Sequence, residues 1–438
     1  MAPISERMTL QRDRPTWLIY TQLSVYAYFL YAFAPTVTLL RDEEHVSDAV
    51  AGLHGTTYAA GVVVVGLLGA RIVARLGRER ALWLFLAALC ASIAVYASVP
   101  SLPVTLVGAL VCGGSASGIT FAVAAALVER HGSAGPAAMT EANALAAAAG
   151  VVGPLAVGGS VSLGYGWRPA VLIVIALIAV LYVCRRAFGD VGDVAPMRAV
   201  ADSAAVAESA AVVDSAAVVH SAAAPPQDRR RPPLGRQFWL GCTVVVLCVG
   251  VEFCMTLWSA QLLRDRSHAT PALAATGVTA IVGGMCVGRA LGSRLARRYR
   301  VDPLLFAAFA VTAVGFTVFW TATEAAVAFT GLAITGLGMA LHYPLALSRA
   351  IGAASAYADR ASSLVTLGGG FAIGAAPFLL GAIADGVTVR YAFLLVPVLL
   401  AAATATLVAA HHRPHVDRVP LPRVDTTDTA TVSAPHAG

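Results

Sequence analysis

Lysine is absent from the 438 residues, so all 30 basic side chains are arginine. A Walker phosphate loop, Gly-x-x-x-x-Gly-Lys, therefore cannot occur, which excludes a nucleotide-hydrolysing site of that kind. Charge of either sign is scarce. Only 12% of residues are charged, against roughly 25% in soluble domains, and 58% are hydrophobic. The seven cysteines (Cys90, Cys112, Cys184, Cys242, Cys248, Cys254 and Cys286) all fall inside apolar runs with no C-x-x-C pair. That excludes a loop disulfide framework and leaves them as small packing residues. No segment alternates as a membrane β-barrel strand does. With no metal-ligand cluster and no nucleophile triad, neither a cofactor nor an enzyme is expected.

What the chain has is long apolar runs. A helix crossing a bilayer needs about 20 of them in a row. Twelve such stretches lie near 17–40, 51–74, 81–99, 103–128, 138–162, 168–185, 238–262, 272–293, 303–322, 325–348, 361–384 and 390–411. The expected fold is all-α and polytopic. Its arginines are lopsided: 25 fall on the side of the N-terminus, and only Arg41, Arg168, Arg264, Arg266 and Arg390 on the other. Positive charge is retained on the cytoplasmic side, so both termini are expected there, in a cytoplasmic membrane. The net charge of +6 then reflects topology and attraction to anionic lipids, and calls for no nucleic acid.

The apolar pattern stops between the sixth and seventh stretches. Asp202-Ser-Ala-Ala-Val, Glu208-Ser-Ala-Ala-Val, Asp214-Ser-Ala-Ala-Val and His220-Ser-Ala-Ala repeat every six residues, and Arg229-Arg-Arg-Pro-Pro follows. Six matches no helical or strand period and offers no large side chain to bury. The expected organisation is a cytoplasmic tail over 1–16, a six-helix bundle over 17–186 and a disordered cytoplasmic linker over 187–237. A second six-helix bundle over 238–411 and a disordered tail over 412–438 complete it.

The two bundles echo each other. Leu39-Leu-Arg-Asp42 recurs as Leu262-Leu-Arg-Asp265, an offset of 223 residues. The same offset carries Gly69-Ala-Arg71 onto Gly292-Ser-Arg294, Gly108 and Gly113 onto Gly331 and Gly336, and Pro154 and Gly158 onto Pro377 and Gly381. One half-protein was duplicated, a build that recurs in secondary transporters with a site between the halves.

Local motifs fit that layout. Gly69-Ala-Arg-Ile-Val-Ala-Arg75-Leu-Gly77-Arg78-Glu-Arg80 follows the second span, and Gly284-x-x-x-Gly288-Arg289-x-x-Gly292-x-Arg294 ends the eighth. With Tyr165-Gly-Trp-Arg168 and Gly336-Leu-Gly338 ahead of Tyr343-Pro344, they resemble patterns of the major facilitator superfamily over nearly all of the chain outside the linker and tails. The resemblance implies two six-helix bundles that rock about a central site. It also implies that Arg75, Gly77, Arg78, Arg80, Arg289 and Arg294 latch the halves in one state. The chain departs from the family too. Ala74 stands where the loop aspartate would fall, and Ala109 where proton-driven drug exporters carry an arginine.

One residue stands out for chemistry. Glu252 lies near the middle of the seventh span, where a carboxylate costs several kcal/mol unless it meets water, a partner or a proton. It is the candidate for proton coupling or for holding a cationic substrate group, against the alternative of a structural lock. Tyr26 and Tyr31 in the first span and Trp258 in the seventh are candidates for a substrate-binding wall. The pair His342 and Tyr343 in the tenth offers a titratable group and a donor. The expected function is a monomeric secondary active transporter of a small organic solute, proton-coupled, working by alternating access. The glycine-rich fifth span tilts the reading toward export. Uptake by the same fold, a non-transporting membrane sensor and a membrane-embedded lipid enzyme stand as alternatives.

Overall fold

The computed structural model describes residues 12–188, 234–295, 298–354 and 358–411. The expectations for most of the linker, for residues 1–11 of the first tail and for all of the second lie outside those residues. Among the described residues every element is helical. Twelve helical spans are long and apolar enough to cross a membrane. In chain order they are α1 (Arg14–Glu44), α2 (Asp48–Leu76), α3 (Arg78–Tyr96), α4 (Leu102–His131), α5 (Gly135–Ser162), α6 (Arg168–Phe188) and α7 (Arg236–Ser267). Then come α8 (Pro271–Ala275 and Gly277–Leu295), α9 (Val301–Thr321), α10 (Ala325–Met339 and His342–Gly352), α11 (Ala358–Gly386) and α12 (Val389–Ala392 and Leu395–His411). The end carrying the starts of α1 and α7 is called proximal below, the opposite end distal.

Three spans are broken where one continuous helix was expected. Pro344 and Pro397 are each the third residue of the helix that resumes α10 and α12. Proline lacks an N–H and its ring strikes the carbonyl four residues back, so a first turn accommodates it best. The chain accordingly restarts a turn just ahead of each proline. In α8 the break is at Thr276, whose hydroxyl donates back to Leu273 O.

The duplication is visible in three dimensions. His45 and His268, 223 residues apart, are the two described non-glycine residues with positive φ, at 54° and 48°, and each ends the first helix of its half. Two residues on, Ser47 accepts the N–H of Val50 and Thr270 that of Leu273, so the second helix of each half begins on the same hydroxyl cap. The close contacts repeat as well. A Cβ on Gly113 would stand 1.9 Å from Tyr58 O, and one on Gly336 2.1 Å from Ile281 O. Both partner pairs keep the offset. Only glycine lets the second and fourth helices of each half approach this closely.

Candidate functional site

The site is built where α1 and α2 of the first half face α7 and α11 of the second. A cavity lies there. Leu30, Tyr31, Phe33 and Ala34 line it from α1, Gly55 and Tyr58 from α2, Glu252, Phe253, Thr256 and Leu257 from α7, and Ile373 from α11. Tyr31, Glu252 and Ile373 each lie near the middle of their helix, so the cavity sits around mid-depth.

The walls are aromatic and aliphatic. Phe33 and Tyr58 stack with ring centroids 5.6 Å apart and planes 28° apart. Thr256 spends its hydroxyl on its own helix, donating to Glu252 O at 2.7 Å. Polar chemistry therefore rests on the Glu252 carboxyl and the phenols of Tyr31 and Tyr58. None of the lining residues is basic.

Of the residues expected from sequence, Tyr31 and Glu252 are brought together on this cavity. Tyr26 is not among the lining residues, but its hydroxyl lies 3.2 Å from that of Tyr58, which is. Trp258 is buried, and its indole N–H donates to Pro377 O at 3.0 Å, joining α7 to α11. His342 and Tyr343 are buried inside the second half. His342 Nε2 lies 3.0 Å from Thr312 Oγ1, and its ring meets Phe309 edge-on. Gly77, at φ 79°, forms the turn between α2 and α3. Arg78 pairs with Glu129 and donates to Ala125 O of α4, both in its own half. Arg75, Arg80 and Arg294 are exposed and Arg289 is half-buried.

Hydrogen bonds and ion pairs between the halves cluster at and beyond the distal side of the cavity, while Gly370 and Val63 still meet just proximal to it. Thr56 donates to Gly374 O at 2.9 Å. A Cβ on Gly52 would meet Phe378 Cα at 3.1 Å, and one on Gly381 would meet Asp48 O at 2.5 Å, so α2 and α11 touch backbone to backbone. Asp385 accepts the N–H groups of Asp48 and Ala49 at 2.7 and 3.0 Å. Arg264 reaches across to Asp42 at 2.5 Å, while Arg41 holds Asp48 at 2.6 Å. On the other flank Thr279 of α8 donates to Val151 O of α5 at 3.3 Å. At the proximal end the described ion pairs join groups of one half only. These are Arg12–Glu141, Arg78–Glu129, Arg130–Asp13 and Arg185–Glu79 in the first half, and Asp302 with Arg349 and His411 in the second. Among the described residues the two halves are thus fastened distally.

Sequence reasoning missed Tyr58, Phe33 and Phe253, because aromatic residues in an apolar run look alike whether they face a core or a cavity. It also missed the Asp42–Arg264 link, although both belong to the repeated Leu-Leu-Arg-Asp.

Residues 19–358 match the sequence profile of the Major Facilitator Superfamily. A search among curated proteins gives no match. The fold is shared with solved transporters at low sequence identity. A bacterial homologue of the human lysosomal transporter Spinster, in an inward-facing and unoccupied conformation, superposes with a TM-score of 0.67 at 13% identity, over 92% of this chain and 98% of that one. The nucleoside transporter NupG gives 0.68 at 10% identity, over 90% and 99%. The Escherichia coli fucose:proton symporter FucP gives 0.57 at 14%, over 90% and 98%.

Proposed function

This chain belongs to the major facilitator superfamily, and from that premise we propose that it is a secondary active transporter of a small organic solute, driven by protons through Glu252. The observation that carries the reading is the position of Glu252 on a mid-depth cavity shared by both halves. A carboxylate on such a wall is a group whose charge can be set by taking up a proton or by meeting a cation. Protonated, it is neutral and the empty cavity can change sides. Deprotonated, it attracts a solute bearing a positive group, whose apolar body the rings of Tyr31, Phe33, Tyr58 and Phe253 accommodate. Because one carboxyl serves both, proton and solute replace each other, and the direction this favours is export.

The arginine excess on the N-terminal side supports a cytoplasmic proximal end. With the halves fastened distally, the cavity then faces inward. The proximal arginines Arg75, Arg78, Arg80, Arg289 and Arg294 close that end in the opposite state, when α2 and α8 draw toward the other half.

The test uses vesicles containing the purified full chain, loaded with a cell extract and analysed by mass spectrometry with and without an imposed pH gradient. Gradient-dependent movement of at least one solute should occur with wild type and be absent with Glu252→Gln. Equal movement by both proteins, still sensitive to the gradient, contradicts the proposal. Uptake in the same direction as the protons would replace exchange by symport.

A further inference from the structure

Away from the cavity, three side chains of the first half form a hydrogen-bonded row near the distal end. Thr105 Oγ1 of α4 lies 2.8 Å from Glu44 Oε1 of α1 and 3.0 Å from His54 Nε2 of α2. The other ring nitrogen, His54 Nδ1, lies 3.0 Å from the carbonyl oxygen of Ala51. A carbonyl oxygen only accepts, so Nδ1 carries a hydrogen. In a neutral imidazole Nε2 is then an acceptor, and an ionised Glu44 is an acceptor too. Both face one hydroxyl with a single hydrogen to give. The row is one proton short. If Thr105 instead donates to Ser101 O or Leu102 O, at 3.3 and 3.1 Å, the shortfall becomes two.

We propose that Glu44, Thr105 and His54 form a second proton-binding site, separate from Glu252. One added proton satisfies the row in either of two orders. Glu44 as the acid donates to Thr105, which donates to His54. Alternatively, His54 as imidazolium donates to Thr105, which donates to the Glu44 carboxylate. Passing between them breaks the Glu44 O–H and the Thr105 O–H while forming a new Thr105 O–H and an Nε2–H, so no proton is gained or lost. Burial makes the proton matter. His54 is 1% exposed and Thr105 fully buried. The second oxygen of Glu44 is also shielded from solvent. Without the proton the row would hold a carboxylate and a ring nitrogen competing for one donor where water cannot help.

Neighbouring ionisable groups have partners of their own. On α1, Glu43 is held by Arg168 of α6 and accepts the indole N–H of Trp167, and Arg41 is taken by Asp48 of α2. From α3, the ring of Tyr96 lies edge-on to His54 and its hydroxyl shares a hydrogen bond with that of Thr36. On α4, Cys112 is bonded to Ser92. None of these supplies the missing hydrogen. The inference is independent of the transport reading, because it rests on a hydrogen count in the first half alone.

Glu44→Gln decides it. The amide donates to Thr105 as the protonated acid would, so the variant imitates the loaded row permanently. Thermal unfolding of the full chain in detergent is compared between wild type and variant from acid to mildly alkaline pH. A site that holds its proton more tightly than the unfolded carboxyl is stabilising in acid and loses that contribution as pH rises. Near pH 4 the two proteins should therefore match. Above it the wild type should fall behind, by up to about tenfold in the folding equilibrium per pH unit until the row empties. Thr105→Val, which removes the bridge, should abolish this divergence when combined with each form of residue 44. A difference constant over pH overturns the site. So does a Glu44→Gln chain that fails to fold, since the amide should satisfy the row.

Discussion

The carboxylate of Asp385, in the last turn of α11, accepts the backbone N–H of Asp48 at 2.7 Å, so one half of the protein caps the first turn of a helix in the other. The orphan amides of a helix N-terminus carry partial positive charge, and a carboxylate there satisfies both hydrogen bonding and the helix dipole. Unlike a cap within one helix, this one exists only while the halves meet distally. Asp385→Ala should weaken that closure by about 1 kcal/mol, roughly fivefold in the ratio of closed to open forms. Spin-label distances between the distal ends of α2 and α11 read this directly: a longer-distance population should grow, with helical content unchanged.

Glycine at 381 serves the same closure. A methyl group there would lie 2.5 Å from Asp48 O and 2.9 Å from the ring of Trp258. Gly381→Ala should therefore disfavour the distally closed state and expose the cavity at that end. Labelling of an introduced distal cysteine by a membrane-impermeant reagent should speed up. Unchanged labelling would mean that the helices separate at no cost, contrary to the contact seen here.

The duplicated packing gives a paired prediction. Gly113→Ala and Gly336→Ala each force a methyl onto a backbone carbonyl inside one half, Tyr58 O and Ile281 O. Overpacking of this kind costs about 1–3 kcal/mol or more. Both variants should melt earlier by similar amounts, whichever way the cavity faces. A large loss from one and none from the other would mean that the repeats are not packed alike.

At the proximal end, Asp13 caps α1 through Thr16 and pairs with Arg130. Burial pushes its carboxyl upward, but hydrogen bonds from Arg130 and Thr16 outweigh this and hold it at about 2. Because that lies below the unfolded value of about 3.9, the stabilisation is complete above the unfolded value and fades as pH falls toward 2. The side chain is 41% exposed, so solvent screening keeps the effect to about 1 kcal/mol. Asp13→Asn should lower the melting temperature at neutral pH, with the gap shrinking in acid. A gap independent of pH would assign the effect to something other than charge.

The spans were legible because each needs only a run of apolar residues, and a lone carboxylate in such a run announces itself, as Glu252 does. Tyr31 was legible for a related reason, being a polar-tipped ring deep in a helix. The interruptions before Pro344 and Pro397 were not anticipated, since proline inside a membrane span need not break it: α1 runs unbroken through Pro35. Trp258, His342 and Tyr343 have the chemistry of a binding site, but their position on the helix turns them toward neighbours within the second half. The distal fastening was unreadable for a different reason. Arg264 and Asp42 lie 222 residues apart, and nothing local says which charges meet.

Distances across both ends of the cleft, measured together, test alternating access most directly. Pairs of spin labels on a cysteine-free background would join residues 75 and 294 proximally, and residues 47 and 386 distally. Protonation of Glu252, imitated by Glu252→Gln, should shift the two distributions in opposite senses, the proximal pair shortening as the distal pair lengthens. Two distributions that stay fixed, or that lengthen and shorten together, would contradict a carrier whose halves rock about a central site.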